Sequence, residues 1–269
     1  MKEPPVILSI AGFDPSSGAG VTADVKTAVA HGCYAATCIT AVTVQSTQGV
    51  FEVRPLASEL VTRTLTAVVD DLPIAAVRIG MLGSSQLAEV VAGFLASARL
   101  PNVVLDPVLR SSSGAALLDE AGLATMRAKL LPLCDVITPN IAEAAILAGA
   151  EPPAEESDWV SGAPKIESLA EALHGHGARV VVITGGHLRP PNDYLSYADG
   201  REGVVIIGEY IDSRSTHGTG CAYATALACE LALGIGVPDA ARAAKQYVQH
   251  AIQRAYPLGK GIGPINHFG

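Results

Sequence analysis

Apolar residues in this chain gather into short runs that alternate with longer amphipathic stretches. Runs of Val, Ile and Leu bounded by Gly, Pro or polar residues predict buried strands, and the stretches between them predict helices. The strands are expected at 6–10, 36–44, 75–79, 103–107, 135–138 and 179–184, and the helices at 21–31, 58–71, 84–98, 119–131, 138–148, 165–176, 221–234 and 238–256.

The repeated alternation of strand and helix predicts a three-layer α/β/α fold with a mostly parallel central sheet. Two further apolar runs, 194–197 and 204–207, predict a small antiparallel edge. Segment 151–164 is rich in Pro, Glu and Ser, carries the only tryptophan and predicts a surface excursion. Since no linker, repeat or low-complexity tract is evident, residues 1–269 are expected to form a single domain.

Composition narrows the partners that this protein can have. The 269 residues carry a net charge of −8 without a Lys/Arg cluster, which argues against binding to nucleic acid or an anionic membrane surface. No apolar run reaches the ~18 residues of a membrane span. The five cysteines form no Cys-x-x-Cys pair, so neither a disulfide framework nor a zinc site is expected, and a reducing cytoplasm fits best.

A glycine-broken turn opens the alanine-rich helix near the end of the chain, at His217-Gly-Thr-Gly-Cys221. Such a turn directs free backbone N–H groups and the positive end of the helix dipole at one point, which favours an anion such as phosphate. A second glycine loop, 11–20, follows the first strand. Taken alone, that loop fits an ordinary strand-to-helix connection and matches neither a P-loop nor a dinucleotide fingerprint.

Polar residues stand near the ends of several predicted strands, where open α/β sheets bind ligands. Asp24 follows the second glycine loop and either faces the crevice or is solvated. Gln45 could read a heterocycle or belong to a turn, and Asp106 is either a ligand-binding carboxylate or a turn-starting Asp before Pro. Asn140 and Glu143 fit either a capping box or a polar pair near a hydrated metal.

Together these segments resemble the hydroxymethylpyrimidine/phosphomethylpyrimidine kinase family of thiamine biosynthesis, in the ribokinase-like superfamily. The resemblance runs nearly from end to end and in the family's order. It rests on Ile10-Ala-Gly-Phe-Asp-Pro-Ser-Ser-Gly-Ala-Gly20, Ala23-Asp-Val-Lys26, Gln45-Ser-Thr-Gln-Gly-Val50, Ile79-Gly-Met-Leu82, Val104-Leu-Asp-Pro-Val108, Thr138-Pro-Asn140 with Glu143, Gly185-Gly-His187, His217-Gly-Thr-Gly-Cys221 and Gly259-Lys-Gly-Ile-Gly-Pro264 with His267 and Phe268.

The resemblance implies ATP with Mg²⁺, leaves a need for a monovalent cation open, and implies a homodimer. It implies phosphorylation of 4-amino-5-hydroxymethyl-2-methylpyrimidine and then of its monophosphate. It also assigns roles by position. The pyrimidine pocket would be formed by Gly12, Asp24, Gln45, Met81 and Val108, and the nucleotide site by Asn140, Thr184, Gly186 and His217. The carboxylates near Mg²⁺ would be those of Asp106 and Glu143. The catalytic turn would consist of Gly218, Thr219, Gly220 and Cys221.

Cys221 stands where many kinases of the superfamily carry an aspartate as general base. A thiol whose pKa is lowered at a helix N-terminus could take the proton of the primary alcohol. The monophosphate needs less help, because its second pKa near ~6 leaves it anionic at neutral pH. A small packing residue is the alternative role for Cys221.

Two residues depart from the family pattern. Phe13 replaces a small residue and narrows the mouth of the pocket, and Thr184 replaces a lysine that lies near the ATP phosphates. A cation from Arg110, Lys260 or a metal would have to compensate for that lysine. Two rival functions remain, a pyridoxal/pyridoxine kinase and a non-catalytic ligand-binding relative.

If the cation at this position is missing, the Thr184→Lys variant should have a higher kcat, because the ammonium group stabilises the charge of the phosphoryl group in transfer. Steady-state assays would compare it with Thr184→Met, which adds length without charge. An equal or lower kcat in the lysine variant would show that the site is already compensated.

Overall fold

A computed structural model describes residues 3–111, 114, 116–152, 165–186 and 188–268. The strands within these ranges are β1 (Val6–Phe13), β2 (Tyr34–Ser46), β3 (Gly49–Pro55), β4 (Ile74–Ile79), β5 (Val103–Leu105), β6 (Val136–Ile137), β7 (Val180–Ile183), β8 (Asp193–Tyr197) and β9 (Val204–Ile206). The helices are α1 (Gly20–Ala30), α2 (Ser58–Asp71), α3 (Ser85–Ala98), α4 (Glu120–Thr125), α5 (Ile141–Ala148), α6 (Ile166–Gly175), α7 (Thr219–Ala232) and α8 (Val237–Gln253).

The described strands form one sheet in the order β3-β2-β1-β4-β5-β6-β7-β8-β9. The pairs from β2 through β1, β4, β5 and β6 to β7 are parallel. Pairs β2–β3, β7–β8 and β8–β9 are antiparallel. The predicted mostly parallel sheet with an antiparallel edge formed by β8 and β9 is therefore confirmed.

Helices cover both faces of the sheet, which explains why the central strands read as continuous apolar runs. One core lies between the sheet and helices α2, α3, α5 and α6, and includes Leu8, Val77 and Leu65. The other lies under α1, α7 and α8, and includes Ile7, Ala76 and Leu227. Neighbouring strand residues enter opposite cores because side chains along a strand alternate between the two faces.

The hairpin of β2 and β3 differs from the sequence-based prediction. Residues 45–49 were expected to close β2 with a polar turn, whereas β2 continues to Ser46 and β3 returns antiparallel beside it, with Ser46 opposite Gly49. β3 was missed because its residues are intermediate or exposed, so it lacks the buried apolar run that identified the other strands.

The helix expected at 119–131 is also divided. α4 ends at Thr125, a π-helical turn covers Met126–Leu130, and a 3₁₀ turn covers Leu131–Leu133. Most of the predicted surface excursion, residues 153–164, lies outside the described residues, as do residue 187 of the Gly-Gly-His motif and residues 112 and 113 of the loop after Arg110. None of the helices in the described part of the chain combines the length and apolarity of a membrane span.

Candidate active site

A cavity of about 430 Å³ opens at the carboxyl ends of the parallel strands. Its walls come from the loops after β1, β4, β5 and β6, from the end of β2 and from the turn before α7. All but one of the residues that the sequence assigned to the site line this cavity. They are Gly12, Gln45, Met81, Asp106, Val108, Asn140, Glu143, Thr184, Gly186, His217, Gly218, Thr219, Gly220 and Cys221.

A second cavity of about 300 Å³ adjoins the first. Thr184, Gly186, Thr219 and Gly220 contribute to the walls of both. The beginning of α7 therefore lies where a ligand in one cavity would meet a ligand in the other.

The turn before α7 depends on glycine. Gly218 has φ of +85°, which favours glycine, and a Cβ atom there would collide with the carbonyl oxygen of Gly18. The glycine loop after β1 thus packs backbone to backbone against the turn. α7 begins at Thr219, whose N–H makes a long hydrogen bond of 3.4 Å to Thr216 O, and no side chain of the described residues caps the helix. The start of α7 therefore presents N–H groups and the positive end of its dipole to an anion.

Asp14 joins the two glycine loops. Its Oδ2 lies 2.7 Å from His217 Nε2 and accepts hydrogen bonds from the backbone N–H groups of Gly18 (3.2 Å) and Ala19 (2.9 Å). Burial would raise the pKa of this carboxyl, but hydrogen bonds from His217 and Ser16 outweigh it and lower the pKa. Asp14 therefore remains ionised and holds the loop after β1 against the catalytic turn.

The C-terminal tail completes this junction. His217 N donates to Gly263 O over 2.9 Å, and His217 forms a bridge with Pro264. Ile262 lines the first cavity and donates from its N–H to Thr47 O over 2.8 Å. The wall of the cavity thus combines residues from both ends of the chain.

A buried ionic cluster lies beneath the turn. Alternation along β4 and β5 directs Arg78 and Asp106 toward the face covered by α1 and α7, where Asp24 of α1 meets them. Arg78 donates to Asp24 Oδ2 over 3.1 Å and to Asp106 Oδ2 over 2.7 Å. The guanidinium of Arg78 is completely buried, but the attraction of the two carboxylates outweighs burial and raises its pKa.

The position of Asp24 corrects the expected direct contact with a pyrimidine. Asp24 is fully buried and does not line the cavity. Its oxygens accept hydrogen bonds from Ser9 (2.5 Å), Thr225 (2.8 Å) and Arg78. Asp24 therefore holds the guanidinium of Arg78 in place, and a ligand in the cavity would contact Arg78 and Asp106 and not Asp24.

Cys221 is half-buried at the start of α7, above Arg78 and Asp106. The sequence predicted a lowered thiol pKa, but the structure contradicts this. Burial, together with the charges of Asp106 and Asp24, raises the pKa of Cys221 to about 11 despite the opposing effect of Arg78. The thiol is therefore protonated at neutral pH, and its proton is held in a cluster that already carries two carboxyl groups.

Asn140 and Glu143 form the capping box that was one of the two sequence-based alternatives. Asn140 Oδ1 accepts from Glu143 N over 2.9 Å, and Glu143 Oε2 accepts from Asn140 N over 3.0 Å. Both residues also line the cavity. Burial and the charge of Asp106 raise the pKa of Glu143 to about 8, and burial likewise raises the pKa of Asp106.

The carboxyl groups of Asp106 and Glu143 fit a hydrated Mg²⁺ ion better than a metal ion whose ligands all come from the protein. No group of three or more His, Cys, Asp or Glu side chains converges as a metal site among the described residues. Two buried carboxyl groups, Asp106 and Glu143, line one cavity; Asp106 is paired with Arg78, whereas Glu143 has no ion-pair partner among the described residues. Mg²⁺ typically uses one or two carboxylates and keeps several waters.

Thr184 follows β7, and its N–H donates to Pro139 O over 2.8 Å. Of the two side-chain cations considered as substitutes for the family lysine, Arg110 lines the first cavity, whereas Lys260 lines neither cavity. Lys245 and Arg189 line the second cavity and were not predicted.

Two central residues, Arg78 and Asp14, were missed by sequence reasoning. A charged residue inside an otherwise apolar buried strand was the available signal for Arg78, because such a charge requires a buried partner. Asp14 belongs to a glycine loop that matched no phosphate-binding motif. Its hydrogen-bond partner, His217, is 203 positions away in the chain, so no local sequence pattern indicated the contact.

A parallel sheet whose strand ends carry carboxyl groups, opposite a helix N-terminus without a side-chain cap, suits the binding of a metal–phosphate complex, as a small-molecule kinase requires. Residues 14–266 match the family model described as phosphomethylpyrimidine kinase. The chain therefore belongs to the phosphomethylpyrimidine kinase family.

Similar proteins support this assignment. A hydroxymethylpyrimidine/phosphomethylpyrimidine kinase of Streptomyces coelicolor is 43% identical over 265 residues, covering 98% of this chain and 94% of that protein. One of Haemophilus influenzae is 40% identical and covers 97% and 96%. Among solved structures, a Clostridium difficile phosphomethylpyrimidine kinase is 33% identical with a TM-score of 0.77, covering 92% of this chain and 99% of that one. A Bacillus subtilis pyridoxal kinase, solved as an ADP complex, is 32% identical with a TM-score of 0.85 and covers 98% of each chain.

The raised pKa of Glu143 makes stability depend on pH. Between the unfolded value near ~4.3 and the folded value of about 8, the native state holds a proton that the unfolded state has released. The free energy of unfolding should therefore fall as pH rises through this window, by up to about 1.4 kcal/mol per pH unit. Glu143→Gln keeps a capping side chain but cannot ionise, so it should remove this slope.

Urea denaturation at pH 5, 6, 7 and 8 would measure the effect. Glu120→Gln is the matched control, because Glu120 is exposed in the first turn of α4. Parallel stability curves for the wild type and Glu143→Gln would contradict a raised pKa.

Proposed function

We propose that the protein transfers the γ-phosphoryl group of ATP to the hydroxymethyl group of 4-amino-5-hydroxymethyl-2-methylpyrimidine, and then phosphorylates the monophosphate. The observation that carries this proposal is the position of Thr219 and Gly220, which line both cavities. A pyrimidine in the first cavity and ATP in the second would bring acceptor and donor together at the anion-binding start of α7.

The chemistry of the first cavity suits an aminopyrimidine. The side chain of Gln45 lies between Thr43 Oγ1, 3.1 Å from Gln45 Oε1, and His217 Nε2, 3.2 Å from Gln45 Nε2, and these contacts position an amide that can hydrogen-bond to a heterocycle. Met81 and Val108 supply apolar surface for the faces of the ring. Gly12 leaves space, because a Cβ atom there would lie 3.1 Å from Met81 Sδ.

The transfer step depends on stabilising charge, which the backbone N–H groups at the start of α7 provide. When bound near Asp106 and Glu143, Mg²⁺ would supply charge neutralisation of the phosphates. Cys221 stands at the acceptor, but its raised pKa means that the thiolate is scarce at neutral pH. Proton removal should therefore limit the alcohol step, whereas the monophosphate is already anionic.

Pyridoxal phosphorylation is a second candidate. Its support is the similarity to the pyridoxal kinase of Bacillus subtilis and to one from Staphylococcus aureus, which was solved with pyridoxal and is 26% identical with a TM-score of 0.85. Pyridoxal also carries a hydroxymethyl group on a nitrogen heterocycle of similar size.

We infer a homodimer in the cytoplasm as the working form. The exposed apolar side chains of Val42, Val44 and Phe51 on the β2–β3 hairpin support a partner surface at that edge of the sheet. The cysteines are all free, which fits a reducing compartment.

Parallel ATP-consumption assays with the pyrimidine alcohol, its monophosphate and pyridoxal test the proposal. Both pyrimidines should be phosphorylated with higher kcat/KM than pyridoxal. Turnover of pyridoxal alone would establish the second candidate. Pyrimidine binding by calorimetry without transfer from Mg·ATP would establish a non-catalytic ligand-binding protein.

The Cys221→Ala variant should lose more kcat in the alcohol step than in the monophosphate step, by about tenfold or more, since only the alcohol needs a base. In the wild type, the alcohol rate should rise with pH above neutrality as the thiol ionises, and the variant should lack this rise. Cys229→Ala, in the same helix but outside both cavities, is the control for losing a thiol. Equal losses in the two steps would count against a base.

A further inference from the structure

One face of α8 forms a wall of the second cavity. Its cavity-lining residues are Lys245, Val248, Gln249 and Ile252, with the i, i+3, i+4, i+7 spacing of a single helix face. Val248 and Ile252 are apolar, and Ile211 adds to them from the segment after β9. This apolar part of the cavity suits a flat aromatic base.

The ammonium group of Lys245 forms an ion pair with Asp193. Its Nζ donates to Asp193 Oδ1 over 2.6 Å, and the same oxygen accepts from Gly185 N over 3.0 Å. The charge of Lys245 is therefore neutralised on the side of the cavity that adjoins Gly186. Gln249 is the uncharged polar side chain on this helix face.

The amide of Gln249 has a defined orientation. Its Nε2 donates to the backbone carbonyl of Glu209 over 3.1 Å. A carbonyl only accepts, so the NH₂ group, not the oxygen, must face Glu209. Among the described residues no donor reaches Gln249 Oε1, which is left as an acceptor on the cavity wall.

On the basis of the kinase function proposed above, we infer that Gln249 selects the base of the nucleotide by accepting a hydrogen bond from the 6-amino group of adenine. Adenine presents a donor at this position, whereas guanine and hypoxanthine present an oxygen acceptor. A 6-oxopurine would place two acceptors against each other and leave both unsatisfied, which costs binding free energy. The base lies at the Gln249 end because the other end of the cavity adjoins the anion-binding turn at Thr219 and Gly220.

ATP, ITP and GTP distinguish the 6-position, because ITP carries the 6-oxo group without the 2-amino group of GTP. The wild type should prefer ATP to both by similar factors in kcat/KM. Gln249→Met has similar length but no hydrogen-bonding group, and it should reduce the ATP/ITP ratio by about 10- to 100-fold. Gln249→Lys presents a donor and should lower the ratio further. Gln246→Met and Gln246→Lys, at an exposed position of the same helix, should leave the ratio unchanged.

Calorimetric titration with ADP, IDP and GDP repeats the comparison without phosphoryl transfer. An ADP preference that falls in Gln249→Met supports the inference, even if neither pyrimidine is phosphorylated and the proposed function fails. The inference is overturned if the wild type binds ADP and IDP equally, if it binds no nucleotide, or if the Gln249→Met and Gln249→Lys ratios stay within twofold of the wild type.

Discussion

The ion pairs of Arg78 are the constraint on which the site depends. An arginine buried in the central strand must have carboxylate partners, and here they come from α1 and from the end of β5. The cluster therefore fixes α1, the helix that follows the glycine loop after β1, and the carboxylate of Asp106, which faces the ligand cavity. Losing Arg78 would leave two buried carboxylates unpaired, a change that typically costs about 3–5 kcal/mol.

The same cluster governs the chemistry above it. Burial raises the pKa of Asp106 and of Cys221, and because one guanidinium serves two carboxyl groups, the neighbouring negative charge raises both pKa values further. A site in this state favours cations at its carboxylates and holds a proton on its thiol. The charges of the site therefore favour the binding of a metal–nucleotide complex and disfavour the thiolate form of Cys221.

Much of the fold followed from the sequence because each central strand is an apolar run bounded by helices of clear periodicity. The residues lining the cavity were also predictable, since motifs at strand ends converge at one edge of a parallel sheet. Asp24 was misplaced because its position after a glycine loop does not reveal whether a helix residue faces the cavity or the sheet. The pKa of Cys221 was misjudged because the helix dipole is visible in sequence, whereas the buried carboxyl groups beside the thiol come from distant segments.

The β3 strand and the second cavity show a further limit of sequence reasoning. β3 pairs at an exposed edge, where pairing does not require an apolar run. Lys245 and Gln249 lie on an amphipathic helix whose polar residues read as ordinary solvated positions. The packing of α8 against α7 and the edge strand β9 places them on a cavity wall.

The contact between His217 and the tail has a consequence for access to the site. The cavity wall uses Gly12 of β1 and Ile262 of the tail, and the tail rests on the β2–β3 turn through Thr47. The same tail segment holds the backbone of His217 through Gly263. Displacing the tail would therefore open the cavity on one side and loosen the turn before α7 in a single movement.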